Sequence, residues 1–401
     1  MRVAMVSMHT SPADRPGKGD AGGLNVYVLE TARALAERGH QIDIFTRAPA
    51  APSTRSLAPG VTLFALEAGR GIVRKHDLAN LSEEFGDEIQ RVASVASESY
   101  DVLHTHYWLS GLAALPVSLA LGIPIAQTFH TLEAMKMSDF EASVQEPNRR
   151  MLTERYLAYE ADAVVAVSSA ETNTLIDALG AQPESVWLVP PAVDTELFRI
   201  GSLSSQTSVR ASLGLGVFDE LVITVGRIQP LKGQDHAIRM LPYLPGVVLA
   251  IVGEATPDEL AWAEDLEVLA SELGVADRVR FVGSLGRERL AAFLAAASAT
   301  IIPSHSETFG LVALESAAAG TPVIAQNTGG LRDSVAHGSS GLLIDGRDPQ
   351  RWAEAVRELL DDAPRLHRMG AAAREFASER TWAKSAETLE GVYERMIESR
   401  P

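Results

Sequence analysis

The sequence predicts an α/β protein of two doubly wound, Rossmann-like domains that face each other across a cleft. Short apolar runs alternate with longer helical segments along the whole chain, which is the pattern of buried parallel strands joined by helices. The length of 401 residues exceeds the usual size of one core. Polar or glycine-containing loops follow several of the apolar runs, as they do at the ligand-binding edge of open α/β sheets. We expect domains at residues 1–193 and 194–378 and a closing helical segment at 379–401.

The first half contains roughly seven predicted strands. It opens with an apolar run, a Gly-Gly turn and a helix, which is how a doubly wound sheet begins. Apolar runs predict strands at 2–6, 41–46, 61–66, 100–103, 123–129, 163–167 and 186–189. Helices are predicted at 22–38, 78–95, 146–160 and 169–179. Pro190 and Pro191 end this half, and we expect Ser202–Thr207 to be a polar, flexible piece of the crossing.

The second half has the same rhythm without an obvious sequence repeat. Its predicted strands are 221–225, 247–253, 279–282, 299–302, 322–325 and 342–344. Its predicted helices are one that ends near 244, followed by 310–319, 349–360, 363–377 and 381–397. The last of these is amphipathic and carries Trp382 and Tyr393 on its apolar side.

Composition excludes several classes of partner. Asp and Glu number 52 against 35 Lys and Arg, and the net charge of −17 argues against nucleic acid and anionic membranes as partners. The absence of cysteine excludes disulfides, thiolate metal sites and thiol catalysis. The N-terminal run resembles a strand rather than a signal peptide, and no apolar run reaches about 18 residues. We therefore expect a cytoplasmic protein without a membrane span.

Two glutamates, Glu307 and Glu315, stand at either end of a predicted loop-to-helix junction. Glu307 lies in a polar loop after a buried strand, and Glu315 lies one turn along the helix from Leu311. The free N–H groups of the helix start lie between them and favour an anion. This layout suits a sugar nucleotide, with one acid for sugar hydroxyls, the amides for pyrophosphate and the other acid for ribose. The alternative is two solvated acids on a surface helix.

Two cations follow the first strand of the second half. Arg227 and Lys232 flank a strand-to-helix loop and are well placed for a pyrophosphate, although generic surface cations are the alternative. In the first half, Gly22 and Gly23 precede a helix and let backbone approach a ligand. The pattern is not G-x-G-x-x-G, so no dinucleotide site is predicted, and a plain turn remains the alternative.

Histidines mark two strand ends in the first half. His130 and Thr131 end a clean strand, where the crevice rule for open sheets places ligands. His104 and His106 are two residues apart, but no third ligand has suitable spacing, so we predict no metal site. Tyr107 and Trp108 follow and suit pocket walls. The nearby loop carries cations that are either ligand-binding or solvated, namely Arg70, Arg74 and Lys75.

These motifs resemble those of the retaining glycosyltransferases called family four, which have the GT-B fold. The resemblance covers nearly the whole chain and includes Gly22-Gly23, His130, the block VGRIQPLKG at 225–233, the pair Glu307 and Glu315, and GLL at 341–343. It implies that the last helix crosses back to brace the first domain. It also implies that Glu307 contacts the donor sugar and Glu315 the ribose. The amides matching the diphosphate contact are those of Phe309, Gly310 and Leu311.

Within the family, SMHTSP, GGLNVYV, HYWLSG and HTLEAMK look most like enzymes of the mycothiol pathway, which use UDP-N-acetylglucosamine and inositol phosphate. Such enzymes hold the acceptor's phosphate with a Lys, a Tyr, a Thr and an Arg, and the four matching positions are Lys75, Tyr107, Thr131 and Arg150. Asn25 matches a further acceptor contact. Ala192, which replaces a common Gly, and the segment Met137–Val144 depart from the pattern and bear on acceptor identity.

The resemblance implies transfer with retention after the two domains close on donor and acceptor. Arg227, Lys232 and the Gly310 helix start would stabilise the leaving diphosphate, and His130 would contact the donor sugar. No metal is required, although Mg²⁺ can accompany the diphosphate. Fructose 6-phosphate or a secondary metabolite are alternative acceptors. A pyridoxal phosphate enzyme of the phosphorylase type and a non-catalytic sugar-nucleotide-binding module are alternative classes, and a homodimer is left open.

Overall fold

The computed structural model describes residues 1–17, 19–69, 71, 73, 75–96, 98–135, 148–216 and 218–399, with only the backbone described for Lys75 and His76. The chain divides into two compact units. Unit one comprises Met1–Asp14, Ala21–Pro191 and the chain from Trp382 onward. Unit two comprises Arg15–Asp20 and Ala192–Thr381. Both units are α/β structures with a central sheet, as the sequence predicts.

Unit one is organised around an eight-stranded sheet in the order β3-β4-β2-β1-β5-β6-β7-β8. Its strands are β1 (Arg2–Val6), β2 (Gln41–Ala48), β3 (Ser53–Ala58), β4 (Val61–Glu67), β5 (Val102–His106), β6 (Ile125–Thr128), β7 (Ala163–Ala166) and β8 (Val186–Leu188). Every pairing is parallel except that of β3 with β4. The edge strand β3 was not predicted because its residues are polar and mostly exposed.

Helices cover this sheet and close its core. They are α1 (Gly23–Glu37), a 3₁₀ turn at Lys75–Leu81, α2 (Ser82–Ser94), α3 (Trp108–Leu121), α4 (Arg149–Glu160), α5 (Ser169–Asp177) and the final helix Trp382–Glu398. That final helix packs on α1 and buries Tyr393, whose hydroxyl lies 2.6 Å from Nδ1 of His104. Trp382 is buried with it, which confirms the predicted apolar side of the helix.

Unit two is built on a fully parallel six-stranded sheet in the order β11-β10-β9-β12-β13-β14. The strands are β9 (Glu220–Val225), β10 (Val247–Val252), β11 (Val279–Gly283), β12 (Ala299–Ile302), β13 (Val323–Gln326) and β14 (Gly341–Ile344). The helices are α6 (Leu203–Ser212), α7 (Gln234–Arg239), α8 (Leu260–Glu272), α9 (Arg287–Ala296), α10 (Leu311–Ala318), α11 (Leu331–Ser334), α12 (Pro349–Asp361) and α13 (Ala363–Ser378), so the last helix of the chain is α14.

Several predicted boundaries are wrong. Ser202–Thr207 is not a flexible piece, because Ser202 caps α6 by accepting a hydrogen bond from the Ser205 N–H at 3.2 Å. Strand β5 continues through His106, so both of its histidines are buried in the strand and do not follow it. Helix α7 ends at Arg239, and a 3₁₀ turn at Leu241–Tyr243 completes the expected segment. None of the described helices is long and apolar enough to cross a membrane.

Candidate functional site

The loop after β12 is held by close backbone packing against the loop after β13. A Cβ on Gly330 would lie 2.1 Å from the carbonyl oxygen of Thr308, and one on Gly329 would lie 2.2 Å from that of Glu307. The Gly330 N–H donates to the Glu307 carbonyl at 2.8 Å. Only glycine permits this approach, so the Gly-Gly pair fixes the position of Glu307 at the carboxyl end of the sheet.

Glu307 is paired with a cation from the neighbouring strand. Lys232 follows β9, which pairs with β12, and its Nζ donates to Oε1 of Glu307. Ser304 Oγ donates to the same oxygen at 3.0 Å. The side chains of Lys232 and Glu307 are 23% and 16% exposed, so a ligand can reach both. The structure therefore brings two of the predicted site residues together from separate loops.

Arg227 leaves the same strand as Lys232. Its Nη1 lies 3.3 Å from Oδ1 of Asp20, in the short N-terminal segment that belongs to unit two. Its carbonyl accepts a hydrogen bond from Gln234 Nε2 at 2.9 Å. This bond ties the β9 loop to the first turn of α7. The Arg227 side chain is 30% exposed and lies beside the exposed carboxylate of Asp20.

Within the described residues, the start of α10 has no side-chain cap. Gly310 occupies the cap position with φ of 89°, no acidic residue lies in the first turn, and Phe309 is buried beneath it. The first amide groups of a helix without such a cap suit an anion, and those of Phe309, Gly310 and Leu311 stay the predicted diphosphate contact. Glu315 lies on the same helix and is only 7% exposed. Burial raises its pKa to about 7, and the Arg287 charge opposes this.

In unit one, three histidines lie together at the carboxyl ends of β5 and β6. His106 Nδ1 lies 3.0 Å from His130 Nε2, and His104 uses both ring nitrogens, one on Tyr393 and one on Thr128 Oγ1 at 2.8 Å. Burial lowers the pKa of His106 and His130 well below the usual value. The two rings are therefore uncharged near neutral pH, so His130 can only donate or accept a hydrogen bond.

Two residues at these strand ends have left-handed backbones. Tyr107 has φ of 75° and His130 has φ of 62°, and neither is glycine. Tyr107 follows directly on β5, and His130 lies two residues after the end of β6. The Tyr27 ring meets the His130 ring edge-on at 4.9 Å, which supports the imidazole from α1.

Arg150 lies against Tyr107 and Thr131, two of its predicted partners. Its Nη2 donates to the Thr131 carbonyl at 2.7 Å, and its guanidinium lies 5.0 Å from the centre of the Tyr107 ring. Two carboxylates that the sequence did not single out also hold it, Glu154 Oε1 at 2.6 Å and Glu133 Oε2 at 3.2 Å. The i,i+4 spacing of Arg150 and Glu154 on α4 was the available signal.

Asn25 organises the turn at the start of α1. Its Nδ2 donates to Thr10 Oγ1 at 2.9 Å and to the Ser11 carbonyl at 2.7 Å, and its Oδ1 accepts from the Gly22 N–H at 2.9 Å. The side chain is buried and its two N–H groups are engaged. Gly22 thus precedes α1 and Gly23 begins it.

The side chains of the remaining predicted cations lie outside the described part of the chain. Lys75 begins the 3₁₀ turn after β4, and its side chain is outside the described part of the chain. Arg70, Arg74 and Met137–Val144 lie outside the described residues.

A further buried acid was missed by sequence reasoning. Glu171, which is fully buried in the first turn of α5, accepts the Val167 N–H at 2.7 Å.

Comparison with known proteins identifies the family. Residues 21–197 match the profile described as Glycosyltransferase Family 4, and residues 205–376 match Glycosyl transferases group 1. A protein of Acidothermus cellulolyticus named D-inositol 3-phosphate glycosyltransferase is 43% identical over all of this chain and 91% of its own. A protein of the same name from Stackebrandtia nassauensis is 42% identical over all of this chain and 92% of its own.

Solved structures of glycosyltransferases have the same fold. Sucrose-phosphate synthase of Thermosynechococcus elongatus superposes over the full length of both chains with a TM-score of 0.89 and 28% identity. The Anabaena protein HepE, solved with UDP and glucose, covers 99% of each chain with a TM-score of 0.77, and at 21% identity it supports the fold alone. The chain belongs to the family-four glycosyltransferases of the GT-B fold and is a hexosyltransferase.

Proposed function

We propose that this enzyme transfers N-acetylglucosamine from UDP-N-acetylglucosamine to an inositol phosphate with retention of the anomeric configuration. The observation that carries the proposal is the Lys232–Glu307 pair beside the uncapped start of α10, because it joins a cation, a carboxylate and free amides at one sheet edge. The relatives named for D-inositol 3-phosphate support the acceptor.

The donor is assigned to unit two. Lys232, Arg227 and the first amides of α10 take the diphosphate, which becomes more negative as the sugar leaves. Glu307 holds sugar hydroxyls, and its ion pair with Lys232 fixes the carboxylate near the diphosphate. Glu315 accepts hydrogen bonds from the ribose diol through its carboxyl oxygens.

The acceptor is assigned to unit one. Tyr107, Thr131 and Arg150 form a contiguous cluster, and together with Lys75 they are the proposed phosphate contacts. Asn25 holds the turn at Gly22 and Gly23, where backbone can approach a substrate. In this proposal the neutral His130 gives a hydrogen bond to the donor sugar.

The reaction breaks the bond between the anomeric carbon and the β-phosphate oxygen and forms a bond to an acceptor hydroxyl oxygen. The transition state is oxocarbenium-like, as in glycoside hydrolysis. We assign no carboxylate nucleophile, so the acceptor attacks on the face from which UDP leaves. The hydroxyl proton passes to the departing phosphate, which gives UDP and the glycosylated polyol.

A second acceptor, fructose 6-phosphate, is favoured by one observation. The sucrose-phosphate synthase structure aligns over the full chain at 28% identity, which is above the 21% of the HepE structure. Both candidate acceptors are phosphorylated polyols, so the same cluster of Tyr107, Thr131 and Arg150 suits either of them.

UDP release by the purified protein tests the proposal. The assay combines UDP-N-acetylglucosamine with D-inositol 3-phosphate, fructose 6-phosphate or unphosphorylated inositol. We expect release that depends on the inositol phosphate, with an α-linked product by NMR. Release only with fructose 6-phosphate would replace the acceptor, and UDP binding without release under any condition would contradict the catalytic proposal.

A further inference from the structure

His106 and His130 form a hydrogen-bonded pair of rings inside unit one. Nδ1 of His106 lies 3.0 Å from Nε2 of His130, and the ring centroids are 5.2 Å apart. His106 is the last residue of β5, and its partner in the sheet register is Thr128, the last residue of β6. Two residues later the chain passes through the left-handed backbone of His130. The pair therefore depends on a strained turn that directly follows two adjacent strands.

Both rings of this pair are uncharged near neutral pH. Burial, together with the neighbouring histidines, lowers the pKa of each ring well below the usual value. A neutral imidazole has one N–H and one lone pair. The hydrogen bond between the two rings therefore has two forms, in which either His106 or His130 donates. Each form fixes the tautomer of both rings, because the nitrogen that does not take part must have the opposite role.

The second ring nitrogen of His106 favours one of the two forms. His106 is fully buried, and within the described residues its Nε2 has no hydrogen-bond partner. If His130 donated, this enclosed nitrogen would carry an N–H without an acceptor. If His106 donates from Nδ1, the enclosed nitrogen has a lone pair instead. A buried N–H without a partner is rarer in proteins than an unfilled acceptor, so the form in which His106 donates has the lower free energy.

The second ring nitrogen of His130 is the one that a ligand can reach. His130 is partly exposed, and its Nδ1 is not enclosed and makes no hydrogen bond within the described part of the chain. Because Nε2 of His130 accepts from His106, the hydrogen of the neutral ring is on Nδ1. This nitrogen can therefore donate a hydrogen bond, and it has no lone pair with which to take a proton.

Neighbouring rings hold the pair in place. The Tyr27 ring meets the His130 ring edge-on at 4.9 Å and lies 6.0 Å from the His106 ring. The His104 ring packs on the His106 ring with centroids 4.2 Å apart. His104 itself hydrogen bonds to two hydroxyl groups, which can donate or accept, so its contacts do not favour one tautomer. His106 differs from it in having an enclosed nitrogen without a partner.

We propose that His106 is a positioning residue for His130: it donates its Nδ1–H to Nε2 of His130 and thereby makes Nδ1 of His130 a hydrogen-bond donor to an oxygen of the substrate. That oxygen belongs to a hydroxyl or a phosphate group, since both accept from a neutral N–H. The tautomer does not depend on the reaction, whereas its effect on transfer rests on the proposed function. In that function His130 takes no proton from the attacking hydroxyl, whose proton goes to the departing phosphate.

NMR measures the tautomers without turnover. The ten histidines of the full-length protein are labelled with ¹⁵N, and long-range ¹H–¹⁵N correlation near neutral pH distinguishes protonated from unprotonated ring nitrogens. We expect the Nδ1–H form for both His106 and His130, with signals assigned by their loss in His106→Asn and His130→Asn. An Nε2–H on either ring, or a charged ring, overturns the proposal.

Two substitutions of similar size separate the hydrogen bond from packing. His106→Asn can place an amide N–H near the position of Nδ1, whereas His106→Leu has no donor. We expect His106→Leu to lower kcat roughly 10-fold, which corresponds to the loss of one hydrogen bond, and to admit the Nε2–H form of His130. His106→Asn should restore most of kcat and the Nδ1–H form. KM for the acceptor should change less than about 2-fold in both variants, because His106 does not touch the substrate.

The control variant is His367→Asn, which removes an exposed imidazole from α13 in unit two. It should change neither kcat nor the signals of His106 and His130. Wild-type kcat in His106→Leu would overturn the positioning role, and if this variant does not fold, the wild-type spectrum still decides the tautomer.

The spectrum and the assay fail separately. Nδ1–H on both rings of a protein that releases no UDP with any acceptor would support the assignment of His106 and contradict the proposed function. Transfer to inositol phosphate by a wild type with Nε2–H on His106 would refute the role of His106 and keep the proposed function.

Discussion

The ligand edge of unit two is made largely of backbone, whereas that of unit one is made of buried polar side chains. In unit two, Gly310, Gly329 and Gly330 shape the loop, and the Lys232–Glu307 pair is partly open to solvent. In unit one, His106, His130 and Arg150 are mostly buried and bonded to other side chains. Substitutions in the first edge should therefore affect chemistry, and those in the second should also affect folding.

The largest expected effect is on the free energy of unfolding and concerns the buried side chains of unit one. Arg150→Met leaves Glu154, whose side chain is fully buried, without its cation. We expect a loss of about 3–5 kcal/mol in the free energy of unfolding, the usual cost of breaking one half of a buried ion pair. Urea denaturation measures it.

Arg155→Met is the matched control, because Arg155 is an exposed cation on the same helix, α4. The double variant Arg150→Met with Glu154→Gln should recover part of the stability, since the buried charge is removed. Equal stability of Arg150→Met and the wild type would show that unit one does not depend on this network.

Lys232→Ala tests the partly exposed ligand edge of unit two. Transfer should fall about 10²–10³-fold, which is about 2.7–4 kcal/mol in the barrier, while the free energy of unfolding changes by less than about 1 kcal/mol. Single-turnover UDP release and urea denaturation measure the two quantities. Arg239→Ala removes a cation that is 49% exposed in the same unit and should change neither. Near-normal turnover of Lys232→Ala would remove this residue from the mechanism.

The smallest expected effect concerns pH. Burial raises the pKa of Glu171 to about 8 from its ordinary value of 4.5, so the folded protein holds this proton more tightly than the unfolded chain. The stabilisation is complete below about pH 4.5 and is lost as pH rises through 8. Glu171→Gln should flatten the fall in unfolding free energy over this range by about 1–3 kcal/mol.

Urea denaturation at a series of pH values checks this prediction. Glu184→Gln, an exposed acid in the same unit, is the control and should keep the wild-type slope. Identical slopes in wild type and Glu171→Gln would show that the carboxylate titrates normally.

The difference between the two ligand edges also explains what the sequence could predict. The Glu307 loop and α10 were predicted because their pattern of apolar strand, polar loop, glycine and Ala-rich helix is local. Helix α3 was not predicted, since it is apolar nearly all round and contains Pro116, so it shows no periodicity. The contact of His106 with His130 joins positions 24 residues apart, and no local pattern encodes such a pair.

The backbone at Tyr107 and His130 has a consequence for engineering. Left-handed conformations of such residues cost about 1–3 kcal/mol each, and glycine would relieve most of that cost. Both side chains are nevertheless packed, Tyr107 against His9 and Arg150 and His130 against Tyr27 and His106, so glycine would also leave cavities that offset the relieved strain. Selection for heat tolerance should therefore leave this strained backbone in place, and gains in stability should be sought away from the acceptor side.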